Sequence, residues 1–220
     1  MMADNLNAKE RLIEAAIDVF GKQGFSAATT RMIAQTANVN ISAIPYYFNG
    51  KEGLYNAVVE YISEKVHTLL QDNLKEINAQ TGAKSLNPRQ AMALLENLLA
   101  QVIDFVLGST EAFRFMRIIL REQLDPSASY SAIYGRFMAP VLTTIAHLIE
   151  AITGITDSRE NHLKALAVIG QVMAFRIGKE TMVRLLDLKG YSPKETAEIR
   201  QLIIEQTRAA LNGLSQANTT

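Results

Sequence analysis

Hydrophobic residues recur every three or four positions along most of the chain. Between Ala8 and Gln23, apolar positions such as Leu12 and Ala16 form one stripe, which predicts a first helix. Asn7 precedes the stripe and is a typical N-cap residue. Gly24 follows the stripe and is expected to end the helix with a left-handed backbone. Runs that alternate between apolar and polar residues are absent, so the pattern favours helices over strands.

The stretch 28–55 contains two short helical patterns and the start of a third. Thr30 is predicted to cap the first of these helices with its hydroxyl. Turn-forming residues at 38–40 interrupt the pattern, and a second short helix is predicted from about Ile41 to Tyr47. A long helical pattern then runs from Lys51 to about Ala79. Two short helices joined by a tight turn and held by a third are typical of a helix-turn-helix.

Helical patterns continue through the rest of the chain, after a polar segment at 80–88. They cover about 88–107, 111–124, 127–153, 158–188 and 193–213. Ser192-Pro193 is interpreted as an N-cap followed by a proline at the first helical position. The sequence therefore predicts an all-α fold with an N-terminal three-helix helix-turn-helix domain (1–55) and a C-terminal helical-bundle domain for ligand binding and dimerisation (56–220).

The first quarter of the chain resembles the DNA-binding domain of the TetR family of bacterial regulators. The matching residues are Gly24-Phe25, Thr29-Thr30, Ile33-Ala34, Ala37, Val39, Ile44, Tyr47-Phe48, Lys51-Glu52 and Leu54. The rest most resembles the subgroup with a CerR-like C-terminal domain. The resemblance implies a homodimeric repressor that binds a palindromic operator in double-stranded DNA. It also implies release by a small hydrophobic effector and, by analogy, control of efflux or drug-response genes.

The resemblance also implies which residues contact DNA. The residues expected to contact bases lie at the start of the second short helix and are Asn40, Ile41, Ser42 and Ala43. Amide and hydroxyl groups can bond to base edges, and apolar groups can contact thymine methyls. Phosphate contacts fall to Thr30, Tyr46, Tyr47 and Lys51, with Arg31 beside them. The alternative is that Asn40 is only a cap and Ile41 a core residue. Phe48 is expected in the core, and Tyr47 is expected to bury its ring and expose its hydroxyl.

Pro45 departs from the family pattern, which usually has tyrosine at this position, and Ser42 stands where glycine is common. A proline inside a helix removes one backbone hydrogen bond and presses on the preceding turn. A kinked or more tightly wound helix is therefore expected here. The substitution also removes one phosphate-binding hydroxyl, and it is interpreted as altered groove fit with DNA binding retained.

The C-terminal part mixes bulky apolar residues with charged ones, as small-molecule pockets do. Candidate effector contacts are Phe105, Phe113, Arg114, Met116, Arg117, Phe137, Met138, His147, Met173 and Arg176. Such residues are more often plain core or solvated surface, so that alternative stays open for each of them.

The last two helical patterns carry more apolar residues than one bundle face needs. Examples are Leu166, Ile177 and Leu202. An exposed apolar surface of this kind indicates a partner, and in the family such helices pair across a two-fold axis. A homodimer through these helices is therefore predicted.

Composition limits the other classes of function. Basic and acidic residues balance at 22 each, there is no cysteine, and the N-terminus lacks the pattern of a signal peptide. The apolar runs look too short to span a membrane, so a soluble, cytoplasmic protein without membrane contact is expected. Glu64 and His67 have the spacing of one half of a di-iron motif, but no second copy exists. We expect no enzyme activity, cofactor or metal. The open alternatives are a DNA-binding dimer without a ligand, and a helical carrier or enzyme with no DNA role.

Overall fold

The computed structural model describes residues 6–82 and 86–217, and all regular structure in these ranges is helical. The α-helices are α1 (Ala8–Ala27), α2 (Thr30–Ala37), α3 (Ala43–Phe48), α4 (Lys51–Gly82), α5 (Pro88–Gly108), α6 (Thr110–Leu124), α7 (Tyr130–Ile133), α8 (Ala139–Thr153), α9 (Ser158–Ile177), α10 (Lys179–Leu185) and α11 (Pro193–Ala217). A π-helical segment, Tyr134–Met138, joins α7 to α8. The all-α prediction is confirmed.

The first helix begins and ends where local chemistry dictates. Asn7 Oδ1 accepts a hydrogen bond from the backbone N–H of Glu10 at 3.0 Å, and Glu10 Oε2 accepts one from the N–H of Asn7 at 2.9 Å. This reciprocal capping box confirms Asn7 as the N-cap. Gly24 interrupts the helical backbone with φ 79° and ψ 168°, and one further turn continues to Ala27.

Two of the long helical patterns are divided in the structure. The pattern predicted at 127–153 contains the π-helical segment between α7 and α8. The pattern predicted at 158–188 ends as α9 at Ile177, and α10 begins after Gly178. Apolar periodicity survives both interruptions, because a π-turn or a one-residue break shifts the register of side chains by only a fraction of a turn.

The chain folds into two compact units. The first contains the residues up to Thr68 together with Phe113–Phe137, and the second contains Leu69–Ala112 and the residues from Met138 onward. Helix α4 therefore contributes to both units. The first unit adds most of α6, all of α7 and further turns of α4 to the helix-turn-helix. The boundary predicted at residue 55 delimits a smaller segment and remains a prediction.

Each unit has its own hydrophobic core. In the first unit the rings of Phe20, Phe25 and Tyr55 form a cluster with centroid separations between 5.1 and 6.0 Å. The second unit packs α8 against α5 and α9, and α11 against α5. Its fully buried side chains include Leu95, Leu98, Leu99, Ile103, Ile145, Leu148, Ile149, Ala165, Val172 and Ile203. Burial of each large aliphatic side chain stabilises the fold by about 1.5–3 kcal/mol.

Two helical stretches are long and apolar enough to cross a bilayer by length and composition, namely Pro88–Gly108 and Tyr130–Thr153. The expectation that every apolar run is too short for a span is therefore wrong. Core helices of soluble proteins meet the same criterion, and 44% and 39% of the two apolar windows are buried within the protein.

Candidate DNA-binding surface

Helix α2 is capped by a polar residue at each end. Thr29 Oγ1 accepts a hydrogen bond from the N–H of Met32 at 3.2 Å, so Thr29 is the N-cap of α2. The prediction that Thr30 is the cap is wrong, because Thr30 is already the first helical residue. Asn38 ends α2 with a left-handed backbone, φ 52° and ψ 50°, and its N–H bonds to the carbonyls of Ala34 and Gln35. Thr30 is half-buried, and its predicted phosphate contact remains a prediction.

Asn40 organises the entry to α3. Its Oδ1 accepts hydrogen bonds from the N–H of Ser42 at 2.9 Å and from Ser42 Oγ at 2.8 Å. The N-cap of α3 is Ser42, so the alternative that Asn40 is the N-cap is wrong. The contacts use only the carbonyl oxygen of Asn40, and its amide N–H groups make no hydrogen bond among the described residues. Ile41 is 47% exposed, so the alternative that Ile41 is a core residue is wrong. Ala43 is half-buried in the first turn of α3.

Pro45 is accommodated without a kink. Helix α3 begins at Ala43, two residues later than predicted, so Pro45 lies in the first turn, where its missing N–H has no helical acceptor to lose. Tighter winding is confined to the entry, where Ala43 N bonds to Asn40 O and Ile44 N bonds to Ile41 O. The prediction of a proline well inside the helix is therefore wrong.

Two tyrosines at the end of α3 present hydroxyls to solvent. Tyr46 is 80% exposed and Tyr47 is 42% exposed, and their rings meet edge to face with centroids 4.8 Å apart. The prediction of a buried Tyr47 ring is wrong, because the neighbouring core position is filled by Phe48. Phe48 is 6% exposed, which confirms its core assignment.

The cations of this region lie at two places. Arg31 lines an open groove of about 780 Å³ with Asn40 and Ile41, so three of the predicted DNA contacts share one surface. Lys51 lies at the start of α4. Its Nζ donates a hydrogen bond to the carbonyl of Ser26 at 3.3 Å and lies 4.6 Å from the centroid of the Phe25 ring. A lysine at a helix N-terminus is chemically suited to phosphate.

Gly53 holds α3 and α4 together and was not singled out in the sequence. A methyl group at this position would overlap the carbonyl oxygen of Phe48. Asn49 and Gly50 reverse the chain between the two helices with φ of 58° and 113°. Helix α3 is therefore set against α4 by a backbone contact that only glycine permits.

Helix α6 is joined to α1 by an ion pair. Arg114 Nη1 lies 2.8 Å from Glu14 Oε2, and Arg114 Nε lies 2.7 Å from Asp18 Oδ1. Burial alone would lower the pKa of Arg114, but the hydrogen bonds to Asp18 and Glu14 raise it. The structure thus pairs Arg114 with α1 within the first unit, and its predicted contact with an effector remains a prediction.

A buried carboxylate ties α6 to α4. Glu122 is 2% exposed and accepts hydrogen bonds from the Tyr55 hydroxyl at 2.6 Å and from the N–H of Ser127 at 3.1 Å. Burial raises the pKa of Tyr55, and the hydrogen bond to Glu122 raises it further. The sequence offered one signal for this contact, a glutamate at an otherwise apolar position of the α6 pattern.

The predicted effector contacts divide between the two units. Phe113, Arg114, Met116, Arg117 and Phe137 belong to the first, and Phe105, Met138, His147, Met173 and Arg176 belong to the second. In the first unit the Arg117 guanidinium lies over the Phe113 ring at 4.6 Å, while Met116 and Phe137 are buried. In the second unit His147 is exposed on α8, and the other four are half-buried. Contact between these residues and an effector remains a prediction.

Several buried polar atoms of the second unit lack a partner within the part of the chain that the structure describes. These atoms are Asn161 Oδ1, Gln171 Oε1, Thr196 Oγ1 and Thr207 Oγ1. An unsatisfied buried acceptor or hydroxyl costs about 1–3 kcal/mol, so a bound molecule or a partner chain that satisfied it would bind more tightly. Apolar periodicity gave no signal for these positions.

The di-iron spacing of Glu64 and His67 is accounted for by packing. Glu64 pairs with Arg136 at 2.8 Å, and His67 Nδ1 lies 3.1 Å from the carbonyl oxygen of Arg136. Across residues 6–82 and 86–217, no group of three or more histidines and carboxylates is placed to hold a metal ion. The interpretation of the spacing as a chance match agrees with these contacts.

Comparison with known proteins shows which family the chain resembles. Residues 12–58 match the family model described as bacterial regulatory proteins, tetR family. Residues 91–214 match the C-terminal domain of HTH-type transcriptional dual regulator CecR. The CecR protein of Shigella flexneri is 33% identical over 213 residues, which are 95% of this chain and 93% of CecR. The subgroup is thus the one named for CecR, which corrects the name CerR.

Solved structures share the fold at low sequence identity. AibR in complex with isovaleryl coenzyme A and operator DNA is 14% identical, with a TM-score of 0.65 over 91% of this chain and 97% of AibR. FadR from Bacillus subtilis in complex with stearoyl-CoA is 16% identical, with a TM-score of 0.56 over 90% of this chain and 96% of FadR. The chain therefore belongs to the TetR family of bacterial transcriptional regulators, in the subgroup with a CecR C-terminal domain.

Proposed function

We propose that this transcriptional regulator is a cytoplasmic homodimeric repressor that binds a palindromic operator and is released by a small hydrophobic effector. The observation that carries the proposal is the exposure of large side chains at α3. Ile41 is 47% exposed and Tyr46 is 80% exposed, beside the free amide N–H groups of Asn40. An exposed apolar side chain at the start of α3 suits thymine methyls, and a tyrosine hydroxyl further along the helix suits phosphate.

A dimer is supported by apolar stripes on α9 and α11. Leu163, Leu166 and Ile177 are 55%, 57% and 66% exposed, and they repeat at heptad spacing with Gly170 and Met173. Leu202 on α11 is 42% exposed. Apolar side chains at heptad spacing pack against an antiparallel or parallel copy of the same surface, which is the requirement for an isologous interface.

Two helix-turn-helix domains, called heads below, match a palindromic DNA sequence when one two-fold axis relates them. Each recognition helix then enters one major groove, and the two grooves lie about one helical turn apart. A single head with six residues in α3 buries too little surface for tight specific binding, so the second copy supplies both affinity and spacing.

A small hydrophobic effector is supported by two observations. AibR and FadR, which share the fold, are seen with isovaleryl coenzyme A and stearoyl-CoA. The second unit of this protein also buries Gln171 Oε1 and Thr207 Oγ1 without a partner in the described residues, and a ligand that reaches them would satisfy them. We propose efflux or drug-response genes as the targets, by analogy with the family.

Release works through two arrangements of the heads. The effector binds more tightly to the arrangement whose recognition helices no longer match successive major grooves, and it shifts the population toward that arrangement. Helix α4 belongs to both compact units and starts at the predicted phosphate contact Lys51, so it is the element that connects effector and operator.

Fluorescence anisotropy with the DNA upstream of the gene tests the proposal. A saturable, salt-sensitive rise that an unrelated duplex does not give is expected. A panel of hydrophobic metabolites is then screened by thermal shift, since a ligand of the folded state raises its apparent Tm. If the protein binds DNA but no ligand of the panel, the result supports the alternative of a dimeric DNA-binding protein without a ligand. If it does not bind DNA, the result supports the alternative of a helical carrier or enzyme.

A further inference from the structure

Three cations from two helices line one open groove in the first compact unit. Lys22 of α1 faces Arg117 and Arg121 of α6 across a space of about 490 Å³, with Gly21, Leu120 and Leu124 completing the walls. None of the residues that line the groove belongs to α2 or α3, and neither the family resemblance nor the base-reading residues account for it.

Two glycines of α1 make the groove possible. A methyl group at Gly24 would lie 2.9 Å from Nη1 and 3.3 Å from Cζ of Arg121, so the guanidinium lies directly on the backbone of α1. A methyl group at Gly21 would lie 3.4 Å from Cβ of Arg117. Arginine side chains of α6 thereby approach the C-terminal end of α1 more closely than any larger residue would allow.

The cations of the groove form no ion pair within the described chain. Arg114, one turn earlier on α6, is paired with Glu14 and Asp18, whereas no ion pair in residues 6–82 and 86–217 involves Lys22, Arg117 or Arg121. Arg117 lies over the Phe113 ring, a contact that keeps its positive charge. The adjacent carboxylate of Glu122 is buried and takes its hydrogen bonds from Tyr55 and Ser127.

The groove adjoins the predicted phosphate contact at the start of α4. Arg121 lies on Gly24, and Lys51 donates to the carbonyl of Ser26 and lies over the ring of Phe25. Gly24 and Ser26 are two residues apart, which is at most about 7 Å of chain. A DNA strand carries one phosphate every 3.4 Å or so of helix axis, so a backbone held at Lys51 passes the groove within a few phosphates.

We infer that the groove of Lys22, Arg117 and Arg121 binds the phosphate backbone that flanks the operator, and so extends the DNA interface from α2–α4 onto α6. The inference rests on the proposed operator binding. Three cations without an ion pair among the described residues attract a polyanion without reading its sequence. The flanking contact adds affinity, while specificity stays with α3.

The test compares two duplexes at several salt concentrations. The short duplex ends at the outermost base pair that α3 reads in each half-site, and the long one adds about one helical turn of DNA on each side. Wild type, Lys22→Gln and Arg121→Gln are titrated on both, with Lys75→Gln on the exposed face of α4 as the matched charge control. Circular dichroism and thermal unfolding establish that each variant is folded.

On the long duplex each groove variant is expected to reduce the slope of log K against log salt by about 1.8, because one phosphate contact is lost from each chain of the dimer. The short duplex and Lys75→Gln should retain the wild-type slope. Unchanged slopes for both groove variants on the long duplex, with wild type still binding, overturn the inference and leave the proposed function standing. Failure of wild type on both duplexes overturns the proposed function as well.

A further arm separates DNA from a small anion. Calorimetric titration with pyrophosphate measures whether the groove binds a free phosphate compound. Pyrophosphate binding that Arg121→Gln abolishes, together with an unchanged DNA slope, makes the groove a small-anion site and overturns the assignment to DNA.

Discussion

The phenolic oxygen of Tyr55 lies 2.6 Å from Oε1 of Glu122, and this carboxylate is 2% exposed. Tyr55 belongs to the second turn of α4, and Glu122 belongs to the last turn of α6. The contact joins the helix that follows the recognition helix to a helix from the middle of the chain. A buried carboxylate needs several hydrogen-bond donors, and here Tyr55 and Ser127 supply them.

Tyr55→Phe is expected to destabilise the protein by about 1.5–3 kcal/mol, the usual value for a hydrogen bond to a charged group. Because the pKa of Tyr55 is raised by folding, its contribution is complete below the unfolded pKa of about 10 and is lost as pH rises through the folded pKa. The difference in unfolding free energy between wild type and variant should therefore shrink above about pH 10. Urea unfolding at several pH values measures this difference.

The control for Tyr55→Phe is Tyr46→Phe, which removes a hydroxyl that is mostly in solvent. Its stability should stay within about 0.5 kcal/mol of wild type. Equal effects of the two substitutions would show that the Glu122 contact contributes nothing to stability.

Gly53→Ala is expected to destabilise the first unit, although alanine normally favours a helix. The added methyl group would overlap the carbonyl oxygen of Phe48, so α3 must move away from α4. A cost of about 1–3 kcal/mol follows from overpacking, with weaker operator binding in proportion to the shift of α3. Thermal unfolding and DNA titration together check the prediction.

Gly135→Ala is the matched substitution for Gly53→Ala, because no atom lies within 4 Å of the position its methyl group would occupy. Stability and DNA affinity should be retained there. A wild-type Tm for Gly53→Ala would mean that the close approach of α3 and α4 is unimportant.

Asn40→Ala is expected to relax the preference at one base pair. The free amide N–H groups of Asn40 are placed to donate to a base edge, and such a contact is worth about 1–3 kcal/mol of discrimination. Titration with a set of duplexes changed at one base pair each measures the preference.

Lys51→Ala provides the contrast for Asn40→Ala. A phosphate contact carries no sequence information, so this change should weaken all duplexes alike. Because one contact is lost from each chain of the dimer, the salt slope should fall by about two units. A uniform loss from Asn40→Ala, like that of Lys51→Ala, would refute base reading by Asn40.

Leu166→Glu is expected to convert the dimer to a monomer. Leu166 is 57% exposed in the middle of the apolar stripe of α9, and a carboxylate on each side of a two-fold axis repels its copy. Sedimentation equilibrium measures the mass. Leu69→Glu, at a position 37% exposed on α4, is the control and should remain dimeric. A dimeric Leu166→Glu variant would place the interface elsewhere.

The sequence predicts most helices because their ends carry strong local signals. Asn7 with Glu10, and Asn87 with Gln90, form capping boxes that a reader can find without coordinates. The choice between Thr29 and Thr30 is different, because two adjacent residues with the same side chain give the same signal. Pro45 was interpreted as helix-internal because the apolar pattern begins at Ile41, before the backbone becomes helical.

The sequence pattern does not predict which helices pack against each other. Apolar spacing marks Phe113 and Met116 as one face of α6, but it does not say that α6 packs with α1 and α4. That packing turns Arg114 into the partner of Glu14 and leaves Arg121 lying on Gly24. The pattern also does not predict the solvent exposure of side chains. An isoleucine or tyrosine at a helix start has the same sequence signal whether it faces the core or the groove.

Hydroxyl-radical footprinting of the DNA upstream of the gene, with the mass of the complex measured on the same sample, tests the central claim most directly. The account predicts two protected half-sites related by inverted symmetry, with centres about one helical turn apart, occupied by an even number of chains. A single chain on the DNA, or the absence of a protected inverted sequence, would contradict it.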